Sequence, residues 1–367
     1  MKKQVVLYKK LSPALMARLQ EQYEVTLINS LDADGLMQLR DALPRAHGLL
    51  GASLKLDAAL LDLAPQLEAI ASVSVGVDNY DIDYLTRRKI LLSNTPDVLT
   101  ETTADTGFAL ILAAARRVVE LANMVRSGQW SRNIGPAHFG TDVHGKTLGI
   151  IGMGRIGEAL AQRGHFGFGM PVLYHSQSRK PAVEARFDAQ YRSLEDLLKQ
   201  ADFICLTLPL TAQTEGLIGA EQFALMRPES IFINISRGKV VDEAAMIDAL
   251  RHQRIRAAGL DVFEREPLPH DSPLLQLSNV VATPHMGSAT HETREAMARC
   301  AVENLLAKRP LQATQNHQAL RICRSCAAQS AIRAQASASF TRSSTKPILI
   351  CPAALGPNAS PARTETP

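Results

Sequence analysis

Short apolar runs recur along the chain, separated by stretches whose apolar positions return every three to four residues. In the first hundred residues, Gln4–Tyr8, Glu24–Ile28, Gly48–Gly51, Ala69–Val75 and Ile90–Ser93 predict strands, with helices at Leu15–Gln20 and Leu36–Ala42. Strands spaced by helices pair in parallel, because a parallel connection needs a long crossover. From about Thr100 to Arg126 the pattern predicts one long helix, with Thr100 as N-cap, Glu101 in the first turn and Gly128 just past the end. Its apolar content around Phe108, Leu110, Ile111 and Leu112 places it between layers. After Thr147 the alternation restarts, with strands at Thr147–Ile151, Pro171–His175, Phe203–Leu208, Ile231–Ile235, Ala257–Val262 and Asn279–Ala282. Helical patterns intervene at Arg155–Arg163, Leu194–Lys199 and Glu243–Arg251, and a last helix spans about Thr290–Leu306. A run as apolar as Ile231-Phe232-Ile233 predicts burial on both sheet faces. The fold class is therefore α/β with two parallel sheets, the second a six-stranded, doubly wound dinucleotide fold.

Beyond about Pro310 the periodicity stops. Residues 311–367 are rich in Ala, Ser, Arg and Pro, and the composition predicts a disordered tail. That tail changes how the net charge of +4 is read. Arg321, Arg324, Arg333, Arg342, Lys346 and Arg363 face one acid there, Glu365, so the body is nearly neutral. A neutral body gives no support to nucleic-acid binding. Of five cysteines, Cys323, Cys326 and Cys351 fall in the tail, leaving Cys205 in an apolar run and Cys300 on the last helix. This is no disulfide framework, and it suits a reducing cytoplasm. The lone C-x-x-C at Cys323 and Cys326 is read as chance spacing, and no metal site is expected. Neither a targeting segment nor a membrane-length apolar run is visible.

Leu148-Gly149-Ile150-Ile151 runs into Gly152-Met153-Gly154-Arg155-Ile156-Gly157. A lone G-x-G-x-x-G is weak, but this one follows a strand and opens a helix, the context that gives it meaning. Gly152 permits the tight turn, Gly154 lets a pyrophosphate approach the backbone, and Gly157 lets helix and strand pack closely. Arg155 and Ile156, in the first helical turn, face the phosphates with free N–H groups and the positive dipole end. The next strand ends Tyr174-His175-Ser176-Gln177-Ser178-Arg179-Lys180, without the acid that accepts bonds from a ribose 2′-hydroxyl. Ser176 and Arg179 suit a 2′-phosphate instead. NADPH is the expected cofactor, with NADH possible; the other reading is that Arg179 and Lys180 are solvated loop charges.

Three further motifs stand at strand ends. Ser236-Arg237-Gly238 offers a guanidinium whose planar fork can hold a carboxylate and polarise a ketone. Asp261-Val262-Phe263-Glu264-Arg265-Glu266-Pro267 supplies acids, and Pro284-His285-Met286-Gly287 a histidine able to exchange a proton near neutral pH. Singly, each residue is more often structural. The three together, at edges where open α/β sheets bind ligands, point to hydride transfer at C2 of a small 2-keto or 2-hydroxy acid.

The order G-x-G-x-x-G, Ser-Arg-Gly, Asp-Val-Phe-x-x-Glu-Pro and Pro-His-x-Gly resembles the D-isomer-specific 2-hydroxyacid dehydrogenases over roughly residues 4–310. Within that family it is most similar to the bacterial glyoxylate/hydroxypyruvate reductase B group, also called 2-ketogluconate reductases. Leu99-Thr100-Glu101-Thr102, Gly140-Thr141-Asp142-Val143-His144 and Gly287-Ser288-Ala289-Thr290-His291-Glu292-Thr293 carry this likeness. The resemblance implies a flavodoxin-like substrate domain at residues 1–99 and 289–310, and a Rossmann domain at 100–288. It makes Arg237 the substrate clamp, His285 the general acid/base and Glu266 its charge partner. Val75 and Gly76, within Val73-Ser74-Val75-Gly76-Val77-Asp78-Asn79, would hold the carboxylate through backbone N–H groups. Asp261 would meet the nicotinamide carboxamide and Thr106 a cofactor phosphate, with Pro209 and Gly287 also at the cofactor. It further implies a homodimer formed through the cofactor domain. Two other readings stay open: a dinucleotide-sensing scaffold, like the corepressors of this fold, and phosphoglycerate oxidation.

Overall fold

The computed structural model describes residues 1–307, so the stretch read as a disordered tail, with its three cysteines, lies outside the described residues. The chain begins with β1 (Lys3–Leu7), α1 (Pro13–Gln22), β2 (Tyr23–Leu27), α2 (Ala33–Ala42) and β3 (Ala46–Gly51). Then come α3 (Ala58–Leu61), β4 (Ala69–Ser72), α4 (Ile82–Arg87) and β5 (Leu91–Ser93). All five strands are parallel, in the order β2-β1-β3-β4-β5, the flavodoxin-like arrangement.

Two helices, α5 (Thr100–Ala115) and α6 (Val118–Arg126), stand where the pattern predicts one. The break is at Arg117, whose φ of 54° is left-handed, a conformation costing roughly 1–2 kcal/mol for an L-residue. Offsetting bonds hold it: Nε and Nη2 fork onto Glu120 at 2.8 and 2.6 Å, and Nη1 reaches the Ala137 carbonyl. Periodicity carries no trace of a single reversed dihedral. Thr100 is also not the N-cap; Leu99 occupies that position without a side-chain bond.

The second sheet uses β6 (Leu148–Ile151), α7 (Arg155–Gln162), β7 (Val172–His175), α8 (Pro181–Phe187), β8 (Gln190–Tyr191), α9 (Leu194–Gln200) and β9 (Phe203–Leu206). It continues through α10 (Ala220–Leu225), β10 (Ile231–Asn234), α11 (Glu243–Arg251), β11 (Ala257–Leu260) and β12 (Val280–Ala282). The order β12-β11-β10-β9-β6-β7-β8 is the Rossmann winding, with seven strands rather than six. The extra strand, β8, pairs only two residues with β7, too few for a period-two signal.

Alternate residues of each central strand enter opposite cores. Ile150, Cys205 and Ile233 face α5 with Phe108, Leu110 and Ile111, while Ile151, Ile204 and Phe232 face Met246 and Leu250 of α11. The last helix, α12 (His291–Leu306), is capped by the Thr290 hydroxyl. It returns to the first sheet, where Met297, Ala301, Val302 and Leu305 pack with Val5, Leu7, Leu19 and Leu50. Buried leucines and valines of this kind contribute about 1.5–3 kcal/mol each. The winding leaves the carboxyl edges of both sheets, with their loops, to carry the chemistry.

Candidate active site

The loop after β10 carries Arg237. Asn234, buried at the strand's end, shapes it: Oδ1 accepts from the Ser236 hydroxyl at 2.7 Å and backbone N–H at 3.0 Å, and Nδ2 donates to the Arg237 carbonyl at 3.1 Å. Gly238 has to be glycine, since a Cβ there would fall 1.8 Å from the Phe263 carbonyl carbon. That close approach draws the Arg237 loop against the loop after β11, where Glu266 lies.

Arg237 then crosses to the first sheet. Its Nε donates to Oδ1 of Asp78 at 3.0 Å, Nη1 donates to the Ser236 carbonyl at 2.8 Å, and Nη2 abuts Gly76, where an added Cβ would sit 1.6 Å away. Gly76 and Val75 belong to the loop after β4, and the Val75 carbonyl is pinned by Asn94 Nδ2 at 2.9 Å. The structure thus joins Arg237 to the Val75–Gly76 loop. Asp78 and Asn234 have supporting roles that sequence reading missed. Asp78 lies within Val73–Asn79 with no feature of its own to mark it, and nothing in Asn234 separates it from any other strand residue.

His285 follows β12 at φ 50°, and its Nδ1 lies 2.7 Å from Oε2 of Glu266. A carboxylate only accepts, so the pair places the ring proton on Nδ1 and leaves Nε2 for exchange. Oε1 of Glu266 accepts from the Phe263 N–H at 3.1 Å. Burial pushes the Glu266 carboxyl up, but the bond and charge of His285, the Phe263 N–H and the Arg237 charge outweigh it and hold the group below the usual value. Arg237, Glu266 and His285, from three successive strand ends, therefore share one electrostatic site.

The glycine-rich turn has the shape a dinucleotide needs. Gly152 sits at φ 105°, and a Cβ on Gly157 would fall 2.4 Å from the Gly152 carbonyl oxygen. A Cβ on Gly154 would meet no protein atom, so the approach to the N-terminus of α7 is open. Thr207 Oγ1 ties the turn to β9 by donating to the Gly152 carbonyl at 2.6 Å. Ile156, half-buried, packs on the cores of both sheets.

Other expected cofactor contacts are engaged within the chain. Arg155 pairs with Asp97, which lies between the first sheet and α5. Arg179 forks onto Glu184 at 3.0 and 2.7 Å, while Ser176 is half-buried in the same turn. Thr106 is buried, its hydroxyl lying 3.3 and 3.4 Å from the Thr102 and Gly287 carbonyls, either of which it can donate to. Pro209 is exposed after β9, its carbonyl accepting from Thr214. Asp261 is buried, with both oxygens bonded to the chain around His285. No metal-binding cluster is found among the described residues.

Residues 108–287 match the model for the NAD binding domain of D-isomer specific 2-hydroxyacid dehydrogenases. A glyoxylate/hydroxypyruvate reductase B from Escherichia fergusonii is 59% identical over 307 residues, covering 84% of this chain and 95% of that one. The chain belongs to the D-isomer specific 2-hydroxyacid dehydrogenase family. A second relative in that family, the glyoxylate/hydroxypyruvate reductase B of Klebsiella pneumoniae, is 58% identical over 83% of this chain and 95% of its own. Among solved structures, the TT0316 protein from Thermus thermophilus matches with a TM-score of 0.76 at 42% identity, over 83% of this chain and 96% of its own. An NADPH-dependent glyoxylate/hydroxypyruvate reductase from Sinorhizobium meliloti, solved with NADP and malonate, matches with a TM-score of 0.74 at 33% identity, over 84% and 93%. As a D-2-hydroxyacid dehydrogenase the protein is an oxidoreductase, and its seven-stranded sheet is the NAD-binding Rossmann unit.

Proposed function

We propose that the protein reduces a small 2-keto acid, with glyoxylate and hydroxypyruvate foremost and 2-ketogluconate a further candidate, to the D-2-hydroxy acid. The names of the relatives support the substrate class. The single observation that carries the mechanism is the 2.7 Å contact between His285 and Glu266, in a site whose carboxylate also feels the charge of Arg237.

In this reading residues 1–99 and 289–310 bind substrate, and residues 100–288 bind the cofactor. Arg237 holds the substrate carboxylate and polarises the keto oxygen, while the N–H groups of Val75 and Gly76 take the remaining carboxylate oxygen. The turn at Gly152, Gly154 and Gly157, with Arg155 and Ile156, holds the pyrophosphate. When bound, the nicotinamide supplies the hydride that reduces C2. His285 gives a proton from Nε2 to the oxygen at C2, and the Glu266 carboxylate stabilises the imidazolium before transfer.

NADPH is preferred in this proposal, and NADH is used less well. Tyr174 donates from its hydroxyl to Oε1 of Glu184 at 2.6 Å, and the same carboxylate grips one edge of Arg179. The opposite edge of the guanidinium supports the reading of a 2′-phosphate site with Ser176.

We also propose a homodimer through the cofactor-binding half. None of the residues of α6 is buried, and Val118, Val119, Val125, Trp130, Ile134 and Phe139 form exposed apolar surface there. A monomeric mass by light scattering would overturn this. Cys205 is free and buried in the core, which supports placement in the reducing cytoplasm.

The deciding experiment mixes purified, folded protein with NADPH or NADH and each of the three keto acids, following nicotinamide absorbance. Turnover faster with NADPH is expected. A flat trace with every pair would overturn the proposal and favour a dinucleotide-sensing scaffold.

A further inference from the structure

Asp261 stands directly after β11 and is 2% exposed. A buried carboxylate is costly unless its oxygens are bonded, and here the bonds share one destination. Oδ1 accepts from the Thr283 hydroxyl at 2.7 Å and from the Met286 N–H at 2.7 Å. Oδ2 accepts from the Gly287 N–H at 2.7 Å. These short, charge-assisted bonds are its compensation.

The donors bracket His285, with Thr283 before it and Met286 and Gly287 after it. His285 itself is left-handed at φ 50°, and its N–H donates to the Thr283 carbonyl at 2.9 Å. Such a backbone costs on the order of 1–2 kcal/mol for a residue with a Cβ and persists only where its surroundings impose it. Gly287 passes so near that a Cβ on it would lie 3.1 Å from Oδ2. The carboxylate is thus the post around which residues 283–287 are wound.

We propose that Asp261 is a positioning residue: it imposes the left-handed turn at His285 and so keeps Nδ1 on Glu266. This rests on the reading of His285 as proton donor. It differs from the carboxamide contact implied by the family resemblance, because a turn anchor acts through His285 and its loss disappears once that ring is gone, whereas the loss of a carboxamide contact persists. A misplacement of about 1 Å can cost roughly 10²-fold in rate.

The test compares Asp261→Asn, His285→Ala and the double variant. Asparagine keeps the size of the side chain but sets an N–H₂ against one of the donors. The expected result is a fall in kcat of about 10–100-fold at saturation, with the Kd for NADPH unchanged by titration. Added to His285→Ala, Asp261→Asn should cost nothing more, since both act through the same ring. If His285→Ala keeps full turnover, the proton-donor reading fails, separately from this inference. If His285→Ala is impaired but Asp261→Asn weakens NADPH binding at unchanged kcat, or the two losses multiply in the double variant, the positioning role is overturned. Should Asp261→Asn not fold, Thr283→Val removes a single donor; a smaller kcat loss at constant Kd supports the inference, and unchanged kcat overturns it.

Discussion

Nε of Arg237, at the end of β10, lies 3.0 Å from Oδ1 of Asp78 in the loop after β4, so one ion pair joins the edges of the two sheets. Both side chains are less than a third exposed, at 28% and 29%. A part-exposed pair contributes modestly, on the order of 1 kcal/mol after solvent screening. The larger effect is geometric, because the pair fixes the guanidinium over Gly76. Asp78→Ala is expected to lower kcat/KM for the keto acid by about 5–10-fold, with Asp78→Asn, which keeps an acceptor oxygen, losing less. Equal losses in the two variants would show that the charge matters, not the bond.

Gly76→Ala tests the same contact from the other side. The backbone at Gly76 is not left-handed, so alanine adds no local strain, but its Cβ would fall 1.6 Å from Nη2 of Arg237. The arginine must move. We expect a loss of kcat/KM of about 10²-fold, with a thermal midpoint close to that of the parent. Unimpaired kinetics would mean that Arg237 can work from another rotamer.

His285→Ala is expected to lower kcat by roughly 10²–10⁴-fold, the range for loss of a general acid. Turnover close to that of the parent would remove His285 from the mechanism.

Glu266→Gln should act on both rate and stability. Glutamine takes away the anionic partner of Nδ1 of His285, so kcat for reduction is expected to fall. Stability should respond through pH. The Glu266 carboxyl is held below its usual value, so its contribution is complete above the ordinary carboxylate pKa and fades as pH falls through the lowered one. Thermal melts of Glu266→Gln should therefore fall less steeply than those of the parent across that acid window.

Arg179→Ala addresses the cofactor. Loss of a charged hydrogen bond to a 2′-phosphate should lower kcat/KM for NADPH roughly 10–100-fold while that for NADH holds. Equal losses with both cofactors would return Arg179 to a structural partner of Glu184.

Periodicity and strand-end motifs reveal most of this molecule because both depend on local sequence. Ile231-Phe232-Ile233 reads as a strand buried on both faces, and its residues do divide between two cores. The strand-to-helix context of Gly152–Gly157 likewise predicts the tight turn between β6 and α7 that the structure has. What stays hidden depends on single dihedrals or on partners distant in sequence. Arg117 breaks a continuous helical pattern through one positive φ, and Gln190–Tyr191 is a strand only because β7 lies beside it. The bond from Arg237 to Asp78 spans the boundary between two winding units, and that of Asp261 to the His285 turn spans two strand ends. No spacing rule along one chain predicts either bond.

The return of α12 to the first sheet has a consequence during synthesis. Val5, Leu7 and Leu19 emerge early, but Met297, Val302 and Leu305, which cover them, come last among the described residues. At about 5–20 residues per second, that apolar face waits roughly 15–60 s on the ribosome for its lid. The Rossmann half, contiguous in the chain, can close first, while the N-terminal apolar face stays uncovered until translation passes α12.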